Sequence, residues 1–344
     1  MSVTLEDIAK QTGVDKSTVS KILSGKARKS RISRQREAYV VSVAEKLNFR
    51  PNAAARAMSE GRFGCIVLLM STGKTSSTLP QSMLSGIYEA LMEHDLHLTL
   101  TRLPDEQLTS EGVVPKILRQ AMADGLLINY TDHIPQKMRD LMQRYRLPSI
   151  WLNSRQAADC AYPDDEDAGR RAAEYLLSRG SRRVAYVDYS HRVDDPIGLH
   201  YSAIDRRVGY ERAMIAAGLQ PRVIEPPADF GVGMFESLSR QWLQGGDRPD
   251  AVVAYSEFES IPVLLAARDL RLDLPVVTFG NNLIVVGDCL VPTMVVPQAR
   301  LGRTGVEMLL EKMESPENPM DPRPIPLPLA LNTDMAADAL SASD

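Results

Sequence analysis

From Cys65 to about Phe279 the chain alternates short apolar runs with stretches of helical periodicity. Strands that take turns with helices have few ways to pack other than as parallel sheets covered on both faces. Strands are expected at residues 65–70, 96–101, 125–129 and 148–152, with helices at 81–94, 111–123 and 136–145 between them. A second series follows: helix 167–179, strand 183–188, helix 206–217, strand 223–225, helix 232–244, strand 251–255, helix 260–270 and strand 276–279. Two doubly wound units in tandem imply a cleft between them. The 344 residues are enough for such a pair and a small additional domain. No apolar run reaches membrane-spanning length, and Met1-Ser2-Val3-Thr4-Leu5 lacks the basic-then-apolar character of a secretion signal, so a cytoplasmic protein without a membrane partner is expected. Cys65, Cys160 and Cys289 are odd in number, far apart and set in apolar sequence, which reads as buried free thiols. The five histidines have no metal-ligand spacing. No metal and no cofactor is expected.

Ahead of the alternating region, residues 4–24 read as two short helices hinged at Gly13. Thr4 is placed to cap the first, Asp7 closes an approximate capping box, and Leu5, Ile8 and Ala9 form an apolar stripe. Asp15 can cap the second, whose Val19, Ile22 and Leu23 face inward. Lys16, Ser17, Thr18, Ser20 and Lys21 are left outside. Hydroxyls and ammonium groups at the start of an exposed helix suit the DNA major groove, where every base pair shows a distinct hydrogen-bonding edge. For one short helix taken alone, an ordinary solvated face is the competing reading. A third helix is signalled by Ser33 as cap and by Ala38, Val40, Val41, Ala44 and Leu47. After Pro51, residues 52–59 can form only a turn or two of helix, too short to be stable without a partner.

Up to Arg62 the chain has 13 lysines and arginines against 6 acidic residues, a net of +7; the full chain's −4 leaves −11 for the rest. A basic head on an acidic body argues for phosphate contact by the head alone. The run Gly25-Lys26-Ala27-Arg28-Lys29-Ser30-Arg31 either adds such contacts or is a solvated charge run.

These residues together resemble the lac repressor (LacI/GalR) family of bacterial transcription regulators. The resemblance is carried by Val3-Thr4-Leu5, Asp7-Ile8-Ala9, Gly13-Val14, Thr18-Val19-Ser20, Leu47-Asn48-Phe49, Pro51-Asn52 and Ala54-Ala55, and it extends to about residue 331. It implies a small all-α helix-turn-helix head (residues 1–50), a hinge helix and linker (51–62) and a periplasmic-binding-protein-like α/β core (63–344). The lobes are then interwoven: the first about 63–160 plus 293–318, the second about 161–292 plus 319–332. Residues 293–296 match the family's returning strand, and 298–313 the helix that rejoins the first lobe. The Pro-rich stretch 316–328 reads as a surface extension and 327–331 as an edge strand. By the same resemblance, Asn52, Ala55 and Met58 belong to a hinge helix that folds on the operator, with Met58 as the apolar wedge in the minor groove. The tail after Asn332 lacks the family's leucine-rich tetramer-forming pattern, so a homodimer is expected.

In doubly wound folds ligands bind where the carboxyl ends of strands face each other. Ser71 and Thr72 after the first strand, Asn153 and Arg155 after the fourth, Asp164 and Asp165 at the crossover, Arg206 at a helix start, Glu257 and Asn281 are therefore candidates for holding a small-molecule effector. The resemblance assigns Arg206 to reach into the cleft, where a guanidinium grips hydroxyls or a carboxylate bidentately. This chain departs from the family at Gly280, where an effector-binding aspartate is common, and at Ser256-Glu257, where Asn-Asp is usual. Asn281 compensates, or the effector is more acidic. The run Asp164-Asp165-Glu166-Asp167 needs no metal, since acidic residues suit a helix N-terminus. As for catalysis, Gly73-Lys74-Thr75 resembles the end of a phosphate-binding loop but has Leu68 where its first glycine belongs. No nucleophile elbow occurs. The expected protein is a dimeric, effector-controlled repressor reading a pseudo-palindromic operator. A small-molecule binding protein without DNA function, and an activator of the same family, are the alternatives.

Overall fold

Three capped helices build the head. At α1 (Leu5–Thr12) the Thr4 amide and hydroxyl donate to Asp7 Oδ2 at 2.9 and 2.8 Å, while the Asp7 amide donates back to Thr4 Oγ1 at 3.4 Å. Two amide donors of the first turn are thereby bonded reciprocally. Gly13 takes φ 68°, a left-handed value that glycine adopts without penalty, and it ends the helix. Asp15 caps α2 (Lys16–Leu23) by accepting from the Ser17 amide at 2.8 Å. Ser33 caps α3 (Arg34–Lys46) through the Arg36 amide. Ile8, Val19, Ile22, Val40 and Val43 pack together as the head's core, joined by Ala27. Ala27 lies inside the basic run yet is 1% exposed, so at least that residue of the run is anchored.

The computed structural model describes residues 3–25, 27, 32–50, 61–73, 77–103, 123–131, 134, 136–145, 147–191, 199–227, 232–287 and 289–331. The chain divides into two units, residues 1–63 and 64–344. The expected hinge residues Asn52, Ala55 and Met58, most of the expected helix at 111–123 and the tail from Asn332 lie outside the described residues.

The larger unit holds two six-stranded sheets. The first contains β1 (Cys65–Ser71), β2 (His97–Leu103), β3 (Gly125–Asn129), β4 (Ser149–Leu152), β5 (Cys160–Pro163) and β13 (Arg323–Ile325), in the order β13-β5-β4-β3-β1-β2, all parallel. The second contains β6 (Val184–Val187), β7 (Arg222–Ile224), β8 (Ala251–Ala254), β9 (Val276–Gly280), β12 (Thr293–Val295) and β14 (Leu329–Ala330), in the order β14-β12-β9-β8-β6-β7. Only β14 runs antiparallel in that sheet. The hairpin β10 (Ile284–Val286) and β11 (Cys289–Val291) stands apart. Helices α4 (Gln81–Glu93), α5 (Gln136–Tyr145) and α10 (Gln298–Glu314) belong to the first lobe, and α6 (Asp165–Ser178), α7 (Tyr201–Ala216), α8 (Phe235–Leu243) and α9 (Glu257–Asp269) to the second. β1 is buried along nearly its whole length, as a central strand covered on both faces must be.

The lobe boundaries differ from the expected ones. β5 pairs with β4, so residues 160–163 stay in the first sheet. Residues 293–295 pair with β9 in the second sheet rather than rejoining the first lobe. Residues 323–325 pair with β5 in the first sheet rather than the second. The chain thus crosses between lobes at Asp164, at Pro297 and again between Ile325 and Leu327. Burial explains these switches: Met294, Val296 and Leu327 pack in the second-lobe core, whereas Leu301, Leu309 and Ile325 pack in the first. A fully buried side chain of this size is worth about 1.5–3 kcal/mol, so a strand joins whichever sheet buries its apolar residues.

Candidate functional site

On α2, Lys16, Ser17, Ser20 and Lys21 are exposed and Thr18 is half-buried, while Val19 and Ile22 point into the core. Thr4 is exposed at the start of α1. Lys16 Nζ lies 3.8 Å from Glu6 Oε2 with both side chains more than half exposed, a pair too solvated to hold the lysine in place. The helix-turn-helix therefore presents one continuous polar face of hydroxyls and ammonium groups, held at its ends by capped turns.

The core's candidate site is a cavity of about 200 Å³ between the lobes, open to solvent. Asn153, Arg206 and Asn281 line it, as do Asp165, Ser202 and Gln298. Asn153 follows β4 in a left-handed conformation, φ 53°, which asparagine tolerates better than most residues. Arg206 does not open its helix. α7 begins five residues earlier, capped by His200, whose Nδ1 accepts from the Ser202 amide at 3.4 Å, and Arg206 sits in the second turn. Histidine is outside the usual capping set, so the helix start was not legible. The Arg206 guanidinium donates from Nε to Asp165 Oδ1 at 2.6 Å and from Nη1 to the Tyr255 carbonyl at 2.8 Å. Its centre lies 4.8 Å from the Tyr255 ring and 4.3 Å from the Phe279 ring. Burial works against the charge on Arg206, but Asp165 outweighs it and holds the guanidinium pKa above its ordinary value. Burial pushes the Tyr255 hydroxyl up to about 12, against the pull of Arg206.

Other predicted residues fall elsewhere. Ser71 is fully buried as the last residue of β1, its hydroxyl accepting from the Gly73 amide at 2.8 Å and its amide donating to Ser77 Oγ at 2.9 Å. It does not line the cavity, which Thr78 does. Thr72 is exposed and outside the cavity. Asp164 caps α6 through the Asp167 amide and faces a separate outer groove with Arg155. Glu257 is exposed at the start of α9. Asn281 is held by Gln298, whose Nε2 donates to its Oδ1 at 2.8 Å. Asp165, a candidate from its place at the crossover, does line the cavity, whereas His200, Ser202, Tyr255 and Gln298 were missed as site residues. The usable signal for Gln298 was its place at a lobe crossing, one residue past Pro297, as Asp165 is one past Asp164.

Lobe-to-lobe contacts frame the cleft. His200 Nε2 donates to the Asn153 carbonyl at 2.9 Å, Tyr201 OH donates to the Pro163 carbonyl at 3.2 Å, and Arg155 Nη1 pairs with Asp205 Oδ2 at 2.7 Å. Among the described residues no group of three or more His, Cys, Asp or Glu is arranged to hold a metal ion. No described helix is long and apolar enough to cross a membrane.

A capped helix-turn-helix with an exposed polar face stands on the same chain as a two-lobed α/β unit with a polar cleft, the layout of a DNA-binding regulator. Residues 4–52 match the family of bacterial regulatory proteins of the lacI type, and residues 173–331 match the periplasmic binding protein-like domain. The ribose operon repressor of Escherichia coli (strain K12) is 27% identical over 328 residues, covering 91% of this chain and 94% of that protein. Catabolite control protein A of Staphylococcus xylosus is 22% identical, covering 91% and 93%. Among solved structures, the lac repressor dimer bound to operator and the anti-inducer ONPF superposes with a TM-score of 0.74 at 20% identity, covering 96% of this chain and 98% of that one. A complex of the transcriptional regulator CelR with cellobiose gives 0.60 at 19% identity, with the same coverage. The chain thus carries a DNA-binding domain of the lacI type together with a periplasmic-binding-protein-like domain, and its relatives are transcriptional regulators.

Proposed function

We propose that this chain is a cytoplasmic, homodimeric repressor that reads a pseudo-palindromic operator and is controlled by a small molecule in the interlobe cleft, with no catalytic step. The observation that carries the reading is the pairing, on one chain, of the exposed polar face of α2 with a cleft whose buried charged residues converge on open space. Lys16, Ser17, Thr18, Ser20 and Lys21 read base edges in the major groove, and Thr4 and Asn52 contact phosphates. Ala55 and Met58 belong to the hinge, with Met58 as the wedge. Two solved relatives, a lac repressor dimer on operator and a regulator in complex with cellobiose, support a dimer and a sugar or sugar-derived effector. The effector must bind one closure state of the lobes better than the other, and that difference is transmitted to the head.

Selection of random duplexes by the purified full-length protein, repeated with a panel of sugars, sugar acids and nucleobases, tests this reading. Enrichment of a palindrome whose recovery changes with one compound supports it. No enrichment under any condition, while a compound still raises Tm, favours a binding protein without DNA function. Met58→Ala should weaken operator binding and leave effector affinity unchanged; equal affinity for a bent operator removes the wedge.

A further inference from the structure

Glu6 stands out on the surface of a basic head. Up to Arg62 the chain has 13 lysines and arginines against 6 acids. Yet Glu6 Oε2 lies 3.8 Å from Nζ of Lys16, the first residue of α2, with side chains 53% and 61% exposed. The fold does not call for an acid there: Thr4 and Asp7 complete the capping box of α1 without it. Asp7 also supplies a negative charge to the first turn, where the helix dipole favours one. In a helix-turn-helix the first residues of the second helix reach base edges in the major groove, so the Glu6–Lys16 pair stands where those edges dock. A carboxylate in that place is repelled by phosphates and by every base-edge acceptor, and finds a donor only on cytosine N4 or adenine N6. The ammonium beside it only donates. Guanine offers that ammonium two acceptors, O6 and N7, and guanine O6 is hydrogen-bonded to cytosine N4 within the pair. A cation and an anion held this close therefore face adjacent atoms of one G·C pair. An A·T pair fits worse: it offers the ammonium adenine N7 alone and sets thymine O4 beside the donor that the carboxylate needs. Because the ion pair is solvated, parting its two ends to meet a base pair costs little.

We propose that Glu6 and Lys16 together read one G·C base pair in each operator half-site, Lys16 donating to guanine O6 and N7 and Glu6 accepting from cytosine N4. Glu6 is then a specificity residue outside the recognition helix. It raises selectivity more than affinity, because it opposes every sequence that sets an acceptor against it and is offset only where cytosine donates. The other exposed residues of α2, Ser17, Ser20 and Lys21, carry no carboxylate that competes for this role. This rests on α2 being the helix that enters the major groove.

The test starts from operators enriched from random duplexes by the full-length protein, followed by competition binding to duplexes in which each half-site base pair is replaced in turn. The expected result is one G·C position at which replacement by A·T or by C·G weakens binding about tenfold. N4-methylcytosine at that position, which puts a methyl group in place of the groove-facing N–H, should weaken the parent protein by a similar factor and leave Glu6→Ala almost unaffected. Glu6→Ala should also bind the A·T-substituted duplex more tightly than the parent does. A purely structural role for Glu6 would instead lower affinity for every duplex by the same factor, and that result overturns the proposal. Lys16→Met should narrow the preference at the same position; together with the N4-methylcytosine probe on the parent protein, it keeps the test alive if Glu6→Ala does not fold. Indifference of the parent protein to N4-methylcytosine, or Glu6→Ala and Lys16→Met acting at different positions, overturns the proposal while the operator reading stands. Failure to enrich any duplex removes that reading, and the proposal falls with it.

Discussion

At the scale of single residues, position in the hydrogen-bond network matters more than residue type. Thr4 acts twice, as a polar group on the head's surface and as one half of the capping box with Asp7. Thr4→Ala should lower the stability of the head by about 1 kcal/mol, read as a lower Tm of its helical circular dichroism signal. Glu259 is the contrasting case, fully buried in α9 near Asp188. Burial raises its carboxyl above the ordinary range, against hydroxyl donation from Ser190 and Ser256 at 2.5 and 2.6 Å. A raised carboxyl binds its proton more tightly in the folded state than in the unfolded chain. Its stabilising contribution is therefore complete below the ordinary glutamate range and is lost as pH rises through the folded-state value. Glu259→Gln keeps an acceptor at Oε1 for the Ser190 hydroxyl and the Tyr189 amide, leaves the Ser256 hydroxyl to turn and accept, and removes the titration. Its Tm relative to the parent protein should be higher at pH 7 than at pH 4; the same difference at both pH values would show that the carboxyl is not strained by burial.

Between elements, the second lobe depends on close approach of α6 and α7. A Cβ built on Gly169 would lie 2.1 Å from the Arg206 carbonyl, and one on Gly209 would lie 2.0 Å from the Glu166 carbonyl. Neither neighbour is a flexible side chain, so the helices must separate to admit a methyl group. Because Arg206 stands on α7 at this crossing, Gly169→Ala should destabilise the core by about 1–3 kcal/mol and also weaken effector binding without touching the effector. Denaturant melts and titration of the same preparation check both effects. An unchanged effector affinity alongside lost stability would mean that Arg206 is positioned by Asp165 alone.

At the scale of the whole molecule, charge is divided between a basic head and an acidic remainder, while the paired cleft residues sum to no net charge. Operator affinity should therefore fall steeply with ionic strength, because each phosphate contact releases counterions. Effector affinity, measured across the same salt series, should hardly change. An effector affinity that falls in parallel would mean that a net charge is recognised in the cleft. The ion pair Arg155–Asp205 and the bonds from His200 and Tyr201 to first-lobe carbonyls are what a change in lobe closure would have to break or re-form.

The sequence by itself determined the layout: a helix-turn-helix with its caps, from Thr4, Gly13 and Asp15, and the alternation that yields two parallel sheets. These are local properties, set by hydrogen bonding within a turn and by the periodicity of apolar residues, and short spans of chain contain them. Only the tertiary structure decided which lobe owns β5, β12 and β13, since strands of three or four residues carry almost no periodic signal and join the sheet that buries them. It also decided the cleft. Arg206, Asn153, Asp165 and Asn281 could be named from resemblance and position, yet Ser71 went to the core, Asp164 to an outer groove and Glu257 to solvent, while the unnamed Gln298 lines the cavity. Adjacent residues at a helix start or lobe crossing point in different directions, and which one enters the cavity depends on packing between segments more than a hundred residues apart.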